Sequence, residues 1–259
     1  MQRCLVVNAD DFGLSDGVNQ GIIEAAEHGI LTSASLMVRQ SAAVAAAAYA
    51  SRGERISVGL HLDLGEWTYR NEEWVPLYSV VPLDNDPAVA SEISRQLAEF
   101  RRLVGRNPSH LDSHQHVHRN EPVRSYLAKI ACQLSIPMRE YSPGIHYCGD
   151  FYGQTAEGEP MRDVLNVGGL KRILAALPSG ITELGCHPGY ADGLVTMYRR
   201  EREMETRVLC APEVREALAA MHIELCSFDD VSRRLAARWR ESRPGYSYAG
   251  DGHQRSRMG

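Results

Sequence analysis

The segment HLDSHQHVH, residues 110–118, places reactive side chains at every second position. On an extended strand alternate side chains share a face, so this spacing directs several imidazoles and one carboxylate to the same side. Imidazole is the commonest metal ligand, and two imidazoles at positions i and i+2 can bind one ion. Because the run spans about 27 Å when fully extended, we expect one or two histidines to ligate and the others to bind substrate or orient the ligands. The alternating residues are His110, Asp112, His114, His116 and His118.

Two further segments carry side chains that could complete a metal site. Asp10 and Asp11 follow the apolar run CLVVN, where one carboxylate could bind a metal and the other act as general base. By themselves they suit a helix cap or a turn equally well. His61 in GLHLDL is by itself more often a core histidine than a ligand. Asp63, two residues later, could hydrogen-bond a ligating imidazole.

A late segment, GCHPGY, contains the histidine best suited to proton transfer. The unperturbed imidazole pKa of about 6.5 would let His187 protonate a leaving amine, although a strand end before a proline turn is the alternative. Cys186 should face away from His187 on a strand, which argues against a cysteine nucleophile. Arg139, at the end of a short predicted strand, could hold a carboxylate in place or form an ordinary surface ion pair.

Short strand-like runs alternate with longer helical patterns along the chain. Residues 18–28, for example, predict a helix capped by Ser15 or Asp16. This alternation is typical of a mostly parallel sheet covered by helices, and about seven repeats suit a distorted (β/α) barrel in a single domain. We place that domain at residues 1–240 and expect residues 241–259 to form a flexible tail.

The polar motifs fall where predicted strands end. Asp10–Asp11 end the first strand, His61–Asp63 the third, His114 the strand predicted at 109–114, and His187 a late one. The carboxyl ends of parallel strands converge on one rim, where active sites of such folds are found. The topology would therefore gather motifs that are far apart in sequence.

Composition excludes some classes of function. The chain of 259 residues has a net charge of −5, which argues against nucleic-acid binding, since that usually requires a basic face. No run approaches the roughly 18 apolar residues of a membrane span, and the acidic opening does not fit a signal peptide. Six scattered cysteines without a C-x-x-C pair predict reduced thiols in a cytoplasmic protein. A homodimer is compatible with these features.

Five motifs together resemble the YdjC family, also called ChbG/HpnK-type carbohydrate deacetylases. They occur in the family's order over most of residues 1–190. The resemblance implies a distorted (β/α) barrel that removes N-acetyl groups from amino sugars with the help of a divalent metal. The motifs are NADDFGLSDGVNQGI (8–22), TSASLMV (32–38), VGLHLDL (58–64), HLDSHQHVH (110–118) and CHP (186–188).

The resemblance also implies residue roles. Asp11, His61 and His114 would ligate the metal, Asp10 would be the general base and His187 the general acid. A second group is expected to bind substrate or support the ligands, and two of its members, His116 and His118, match the family pattern without a defined role. That group is Asp63, His116, His118 and, by a looser alignment, Arg139.

Metal identity and substrate stay open at this point. Imidazole ligands favour zinc, nickel, cobalt or manganese, whereas the resemblance also allows magnesium. Two stretches without clear periodicity, 65–87 and 142–167, are candidate walls for the small-molecule substrate, an N-acetylated amino sugar or conjugate. A metallophosphoesterase, which would usually hold two metals, and a non-catalytic sugar-binding protein are the alternative functions.

Overall fold

A curled parallel sheet forms the centre of the protein in the computed structural model, which describes residues 3–52, 55–155, 158–190, 194 and 196–241. Within the described chain, seven strands pair in the order β6-β3-β2-β1-β8-β7, with β9 also against β1. All these pairs are parallel, and the curled half-barrel that they form is consistent with the predicted distorted (β/α) barrel of mostly parallel strands. The strands are β1 (Arg3–Phe12), β2 (Ser33–Leu36), β3 (Ser57–Leu62), β4 (Gly65–Arg70), β5 (Glu73–Ser79), β6 (Leu111–Ser113), β7 (Ile145–Cys148), β8 (Gly180–Cys186) and β9 (Ile223–Leu225).

Strand β1 lies in the middle of the sheet, between β2 and β8. Its residues from Cys4 onward are all buried, as expected for a strand covered on both faces. β8 pairs with most of the length of β1. β9 pairs with Arg3–Leu5 of β1, and β2 pairs with the residues of β1 from Asn8 onward. The carboxyl end of β1, which carries the two aspartates, therefore lies centrally on one rim.

Helices cover the sheet and close the main hydrophobic core. The first begins at Asp16, two residues before the predicted start, and Ser15 caps it as predicted, because the Val18 backbone N–H donates to the Ser15 side chain at 3.2 Å. A further helix, α6, is absent from the sequence-based prediction. The helices are α1 (Asp16–Glu27), α2 (Ala43–Arg52), α3 (Asp86–Val104), α4 (Val123–Leu134), α5 (Val167–Ala176), α6 (Arg200–Leu209), α7 (Pro212–Ala220) and α8 (Phe228–Glu241), with 3-10 helices at His114–Arg119 and Arg162–Val164.

The first stretch without clear periodicity is a hairpin rather than an irregular loop. Strands β4 and β5 pair antiparallel around Asn71 and Glu72, whose φ angles of 51° and 66° suit the tight turns that follow the twist of a hairpin. The short strand predicted around Arg139 reduces to one parallel bridge between Leu111 and Met138.

The prediction of six reduced thiols is wrong for two of them. Cys4 and Cys226 form a disulfide, with their Cα atoms 6.2 Å apart, although 222 residues separate them in sequence. β9 returns beside the start of β1, which places the two sulfurs together. The cytoplasmic location stays a prediction.

Neither the predicted domain boundary nor the predicted tail is tested by the structure. Residues 242–259 lie outside the described chain. Among the residues that are described, no helix is long and apolar enough to cross a membrane.

Candidate active site

A cavity of about 400 Å³ opens at the carboxyl ends of β1, β3, β6 and β8. Most of the sequence-predicted site residues line it, as expected for parallel strands that end at one rim. The predicted site residues in its wall are Asp10, Asp11, His61, His114, His116 and His187. Asp63, His118 and Arg139 are buried behind or beside this wall.

Asp11, His61 and His114, the primary cluster, bring three metal-binding groups together. Asp11 Oδ1 lies 2.9 Å from His114 Nδ1 and 3.4 Å from His61 Nε2, and one ligand atom from each residue lies within 4.8 Å of the others. All three residues are buried, and His114 Nε2 has no hydrogen-bond partner. One carboxylate and two imidazoles are a donor set that suits a divalent transition metal. The residues present therefore fit the predicted ion.

A backbone irregularity turns both aspartates toward the cavity. Neighbours on a regular strand point to opposite faces, yet Asp10 and Asp11 both line the cavity. The pairing of β1 with β2 shifts register between Ala9 and Phe12, and Asp11 has a φ of 66°. Bulges of this kind commonly re-aim a side chain next to an active site.

The carboxylate that supports His61 is Asp112, and the expectation for Asp63 is wrong. Asp112 Oδ1 lies 2.8 Å from His61 Nδ1, because the two residues are register partners on β6 and β3. Asp63 instead accepts hydrogen bonds from Gln40 and Tyr78. Burial alone lowers the pKa of His61, but the carboxylates of Asp112 and Asp10 raise it to about 10.

The run of alternating histidines does not continue as a strand. β6 ends at Ser113, and the chain then forms a 3-10 helix in which Gln115 and His116 have φ angles of 47° and 53°. His114 and His116 reach the cavity through this turn rather than through a shared strand face. His110 is a core residue, 2.9 Å from the Ser35 hydroxyl through Nε2 and stacked on Phe228.

The buried side chain of Arg139 binds Asp10. Its guanidinium donates to both oxygens of Asp10 at 2.7 Å, and it also binds Asp112 at 2.8 Å and Glu183 at 2.7 Å. It is buried, so the surface-pair alternative is wrong. Burial raises the pKa of Asp10, but the charge and hydrogen bonds of Arg139, together with the charge of His61, outweigh this and lower the pKa. Asp10 is therefore an oriented, ionised carboxylate.

His187 lies across the cavity from the primary cluster and beside Asp10. Its Nε2 is 3.8 Å from Asp10 Oδ2. Burial lowers its pKa to about 4, so the ordinary value expected from sequence does not apply. The following turn packs closely on α1, since a Cβ added at Gly21 would lie 2.5 Å from the Cα of Gly189. The side chain of Cys186 turns away and donates to the Asn8 carbonyl at 3.2 Å.

Helix α6 supplies two site residues that sequence reasoning missed. Arg202 donates to Asp11 Oδ2 at 2.5 Å, which leaves Oδ1 toward the two imidazoles. Glu205, one turn later, accepts from the His187 backbone N–H at 2.5 Å and from the Tyr198 hydroxyl. Burial raises the pKa of Glu205 to about 8. The charged sequence RERE gives no signal that separates buried from solvated residues.

The hairpin β4–β5 covers one side of the cavity. The Gln115 side-chain amide donates to the Trp67 carbonyl and accepts from the Trp67 N–H, both at 2.8 Å. Glu66 on the same strand lines the cavity, with Oε2 4.0 Å from His114 Nε2. The opposite wall carries Tyr152, which lies 5.2 Å from the His187 ring between centroids.

This chain belongs to the family of YdjC-like proteins, whose family model matches residues 4–220, and the predicted family is thus confirmed. It is 32% identical over 263 residues to a chitooligosaccharide deacetylase from Serratia marcescens, a match that covers 89% of this chain and 100% of the relative.

Solved structures share the fold. A protein from Enterococcus faecalis, provisionally named a cellobiose-phosphate cleavage protein, superposes with a TM-score of 0.68 at 24% identity. The match covers 89% of this chain and 99% of that one. A family 4 acetyl xylan esterase from Clostridium thermocellum, solved with a cobalt ion, superposes with a TM-score of 0.52 at 9% identity over 90% and 92% of the chains.

Proposed function

We propose that the protein is a metal-dependent hydrolase that removes the N-acetyl group from an amino sugar, releasing acetate. The observation that carries the proposal is the placement of Asp10 and His187, 3.8 Å apart, beside the primary cluster in one cavity. An amide hydrolase needs a base for water and an acid for the leaving amine, and both lie beside three metal-binding groups. The name of the Serratia relative points to the same reaction.

The primary cluster would hold one divalent ion. When bound there, the ion would polarise the acetyl carbonyl and lower the pKa of water. Asp112 fixes His61 through Nδ1, which leaves Nε2 toward Asp11, an orientation typical of metal-bound histidine. Two imidazoles favour zinc, nickel, cobalt or manganese, and magnesium stays open.

Asp10 acts as the general base. Its lowered pKa keeps it ionised at neutral pH, and the paired hydrogen bonds from Arg139 hold both oxygens in place. A carboxylate held in this way accepts a proton from water without first reorganising. Arg202 performs the corresponding positioning for Asp11.

His187 acts as the general acid and receives its proton during the reaction. With a pKa of about 4, the imidazole is neutral in the resting enzyme at pH 7. Asp10 Oδ2 and His187 Nε2 lie 3.8 Å apart, so the proton that Asp10 takes from water would pass to Nε2 once the reacting complex brings the two atoms to hydrogen-bond distance, and from there to the departing nitrogen. One water is consumed, and acetate and a free amine leave.

The substrate walls suit a sugar. Tyr152 is 36% exposed within the cavity wall, where its ring can stack on a pyranose face. Glu66 offers a carboxylate to sugar hydroxyls from the hairpin side. The volume of about 400 Å³ lies within the range of small-molecule sites. We infer an N-acetylglucosamine-containing saccharide, and the name of the Serratia relative suggests short chitooligosaccharides.

A substrate panel tests the proposal. The protein is incubated with N-acetylglucosamine, short chitooligosaccharides and their phosphorylated forms, and free acetate and new primary amine are measured. Equal amounts of acetate and amine from at least one saccharide are expected. Phosphate release without acetate would favour a metallophosphoesterase instead, and tight binding without either product would favour a sugar-binding protein.

A further inference from the structure

We propose that His116, His118 and Glu140, the rim cluster, form a second site for a divalent transition-metal ion. One ligand atom from each of the three residues lies within 4.8 Å of the others. The rim cluster shares no residue with the primary cluster, and the proposal holds whether or not the protein is a deacetylase.

The spacing of the ligand atoms fits a shared ion better than a hydrogen bond. His118 Nε2 lies 3.6 Å from Glu140 Oε2, which is too long for an ordinary N–H···O bond. Two ligands that each bind a tetrahedral zinc ion at about 2.0–2.1 Å are separated by about 3.3 Å. A small contraction would therefore place both atoms on one ion.

Two buried nitrogens in the cluster lack partners. His118 is 0% exposed, and neither its Nε2 nor His116 Nδ1 has a hydrogen-bond partner in the described structure. Buried polar atoms of native proteins are nearly always paired, so two orphaned nitrogens in adjacent rings indicate a missing ligand. One ion would satisfy both.

The hydrogen bonds around His118 allow the tautomer that an ion requires. Ser113 Oγ lies 2.7 Å from His118 Nδ1 and also accepts the His118 backbone N–H at 2.9 Å. With a proton on Nδ1 donated to the hydroxyl, Nε2 presents its lone pair to the cluster. An outer hydrogen bond of this kind is typical of metal-bound histidine.

Two arginine side chains near the rim cluster are paired with carboxylates. Arg119 pairs with Glu140 through two hydrogen bonds of 2.6 and 2.7 Å, so that pair is neutral overall. The other nearby guanidinium, Arg139, is bound by three carboxylates. The charges of both guanidinium groups near the rim cluster are therefore compensated by carboxylates.

The donor set selects the class of metal. Two imidazoles and one carboxylate suit zinc, cobalt, nickel or copper, whereas magnesium and calcium prefer oxygen ligands. His116 lines the cavity, so the ion would lie at the cavity wall with positions left for solvent.

Metal stoichiometry tests the proposal. The full chain is dialysed to equilibrium against zinc or, separately, magnesium, and the bound metal is counted by mass spectrometry. We expect two zinc ions per chain and no second magnesium. Glu140→Gln and His118→Ala should each retain one zinc, and Asp11→Asn should retain the rim ion alone. His146→Ala, which removes an exposed histidine outside both clusters, is the control and should keep two.

Circular dichroism establishes whether each variant is folded. If His118→Ala does not fold, Glu140→Gln still tests the proposal. A single zinc per wild-type chain at saturation would overturn the proposal. Two ions that persist in every folded rim variant would also overturn it. Neither result depends on the acetate assay.

Discussion

Asp10 and Asp11 are adjacent in sequence, but their side chains have different hydrogen-bond partners and therefore different proposed roles. Arg139 holds both oxygens of Asp10, whereas Asp11 places one oxygen against Arg202 and the other against two imidazoles. The first carboxylate is therefore positioned for proton transfer and the second for ligation.

Replacing the proposed base should separate metal binding from turnover. Asp10→Asn is nearly isosteric and leaves the primary cluster unchanged, so we expect normal metal content with kcat lowered by about 10²–10⁴-fold. Metal analysis and steady-state acetate release measure the two properties. Asp163→Asn, at an exposed position, is the matched control. Retained turnover in Asp10→Asn would remove Asp10 as the base.

Replacing the proposed acid should slow the departure of the amine. His187→Ala removes the proton donor but no metal ligand, so kcat should fall by about 10²-fold or more while metal content stays constant. Substrates with a better leaving group should be less affected. An unchanged kcat would contradict the assignment of His187.

Several residues that line the cavity can be predicted from sequence, but their hydrogen-bond partners cannot. The motifs around Asp10, His61 and His187 carry recognisable residue types at strand ends. Asp112 supports His61 through cross-strand register, and Arg202 reaches Asp11 from 191 positions away. Such contacts depend on the tertiary structure, which residue spacing within one segment does not predict.

Among the secondary-structure elements, α6 has the largest effect on the site and the weakest sequence signal. Its sequence REREMETRVL is dominated by charges, yet Glu201, Arg202 and Glu205 are buried. Hydrophobic periodicity cannot detect a helix whose buried face is ionic. The prediction for the histidine run was wrong for a different reason. The alternation predicts a continuous strand, whereas the chain turns at Gln115 and His116.

The buried carboxyl of α6 should make stability depend on pH. Burial raises the folded-state pKa of Glu205 to about 8, above its ordinary value of 4.5. Between these values the folded state binds more protons, so the contribution of Glu205 falls as pH rises, by up to about 1.4 kcal/mol per pH unit. Glu205→Gln cannot titrate and should remove this component.

Urea unfolding of wild type and Glu205→Gln from pH 5.5 to pH 8 measures the difference. The two free energies of unfolding should diverge progressively in favour of the variant as pH rises. Glu203→Gln, on the same helix with a side chain 38% exposed, is the matched control. Parallel curves for wild type and Glu205→Gln would contradict the burial effect.

For the whole molecule, the alternation of strand-like and helical runs was sufficient to predict the parallel sheet and the rim at which the candidate site residues meet. That inference succeeds because each βα unit must bury its apolar face against the next. It cannot predict which distant segments meet at the opposite end, where β9 returns to β1 and Cys226 reaches Cys4.

The disulfide determines how many cysteines should react with an alkylating agent. Alkylation of unfolded, unreduced protein should modify four of the six cysteines, and prior reduction should expose all six. Cys226→Ser should lower the free energy of unfolding by about 2–4 kcal/mol under oxidising conditions, since the bridge closes a long loop. Six reactive thiols before reduction would show that the pair is reduced in the isolated protein.

We propose that Asp10, His187 and a metal held by the primary cluster hydrolyse an N-acetyl amide. The most direct measurement is acetate release from a short chitooligosaccharide by metal-stripped protein, before and after one transition metal is restored. Our prediction is that acetate is released only after restoration, and that restored Asp10→Asn releases almost none. Acetate release that survives metal removal, or a metal-loaded protein that binds the saccharide without releasing acetate, would contradict it.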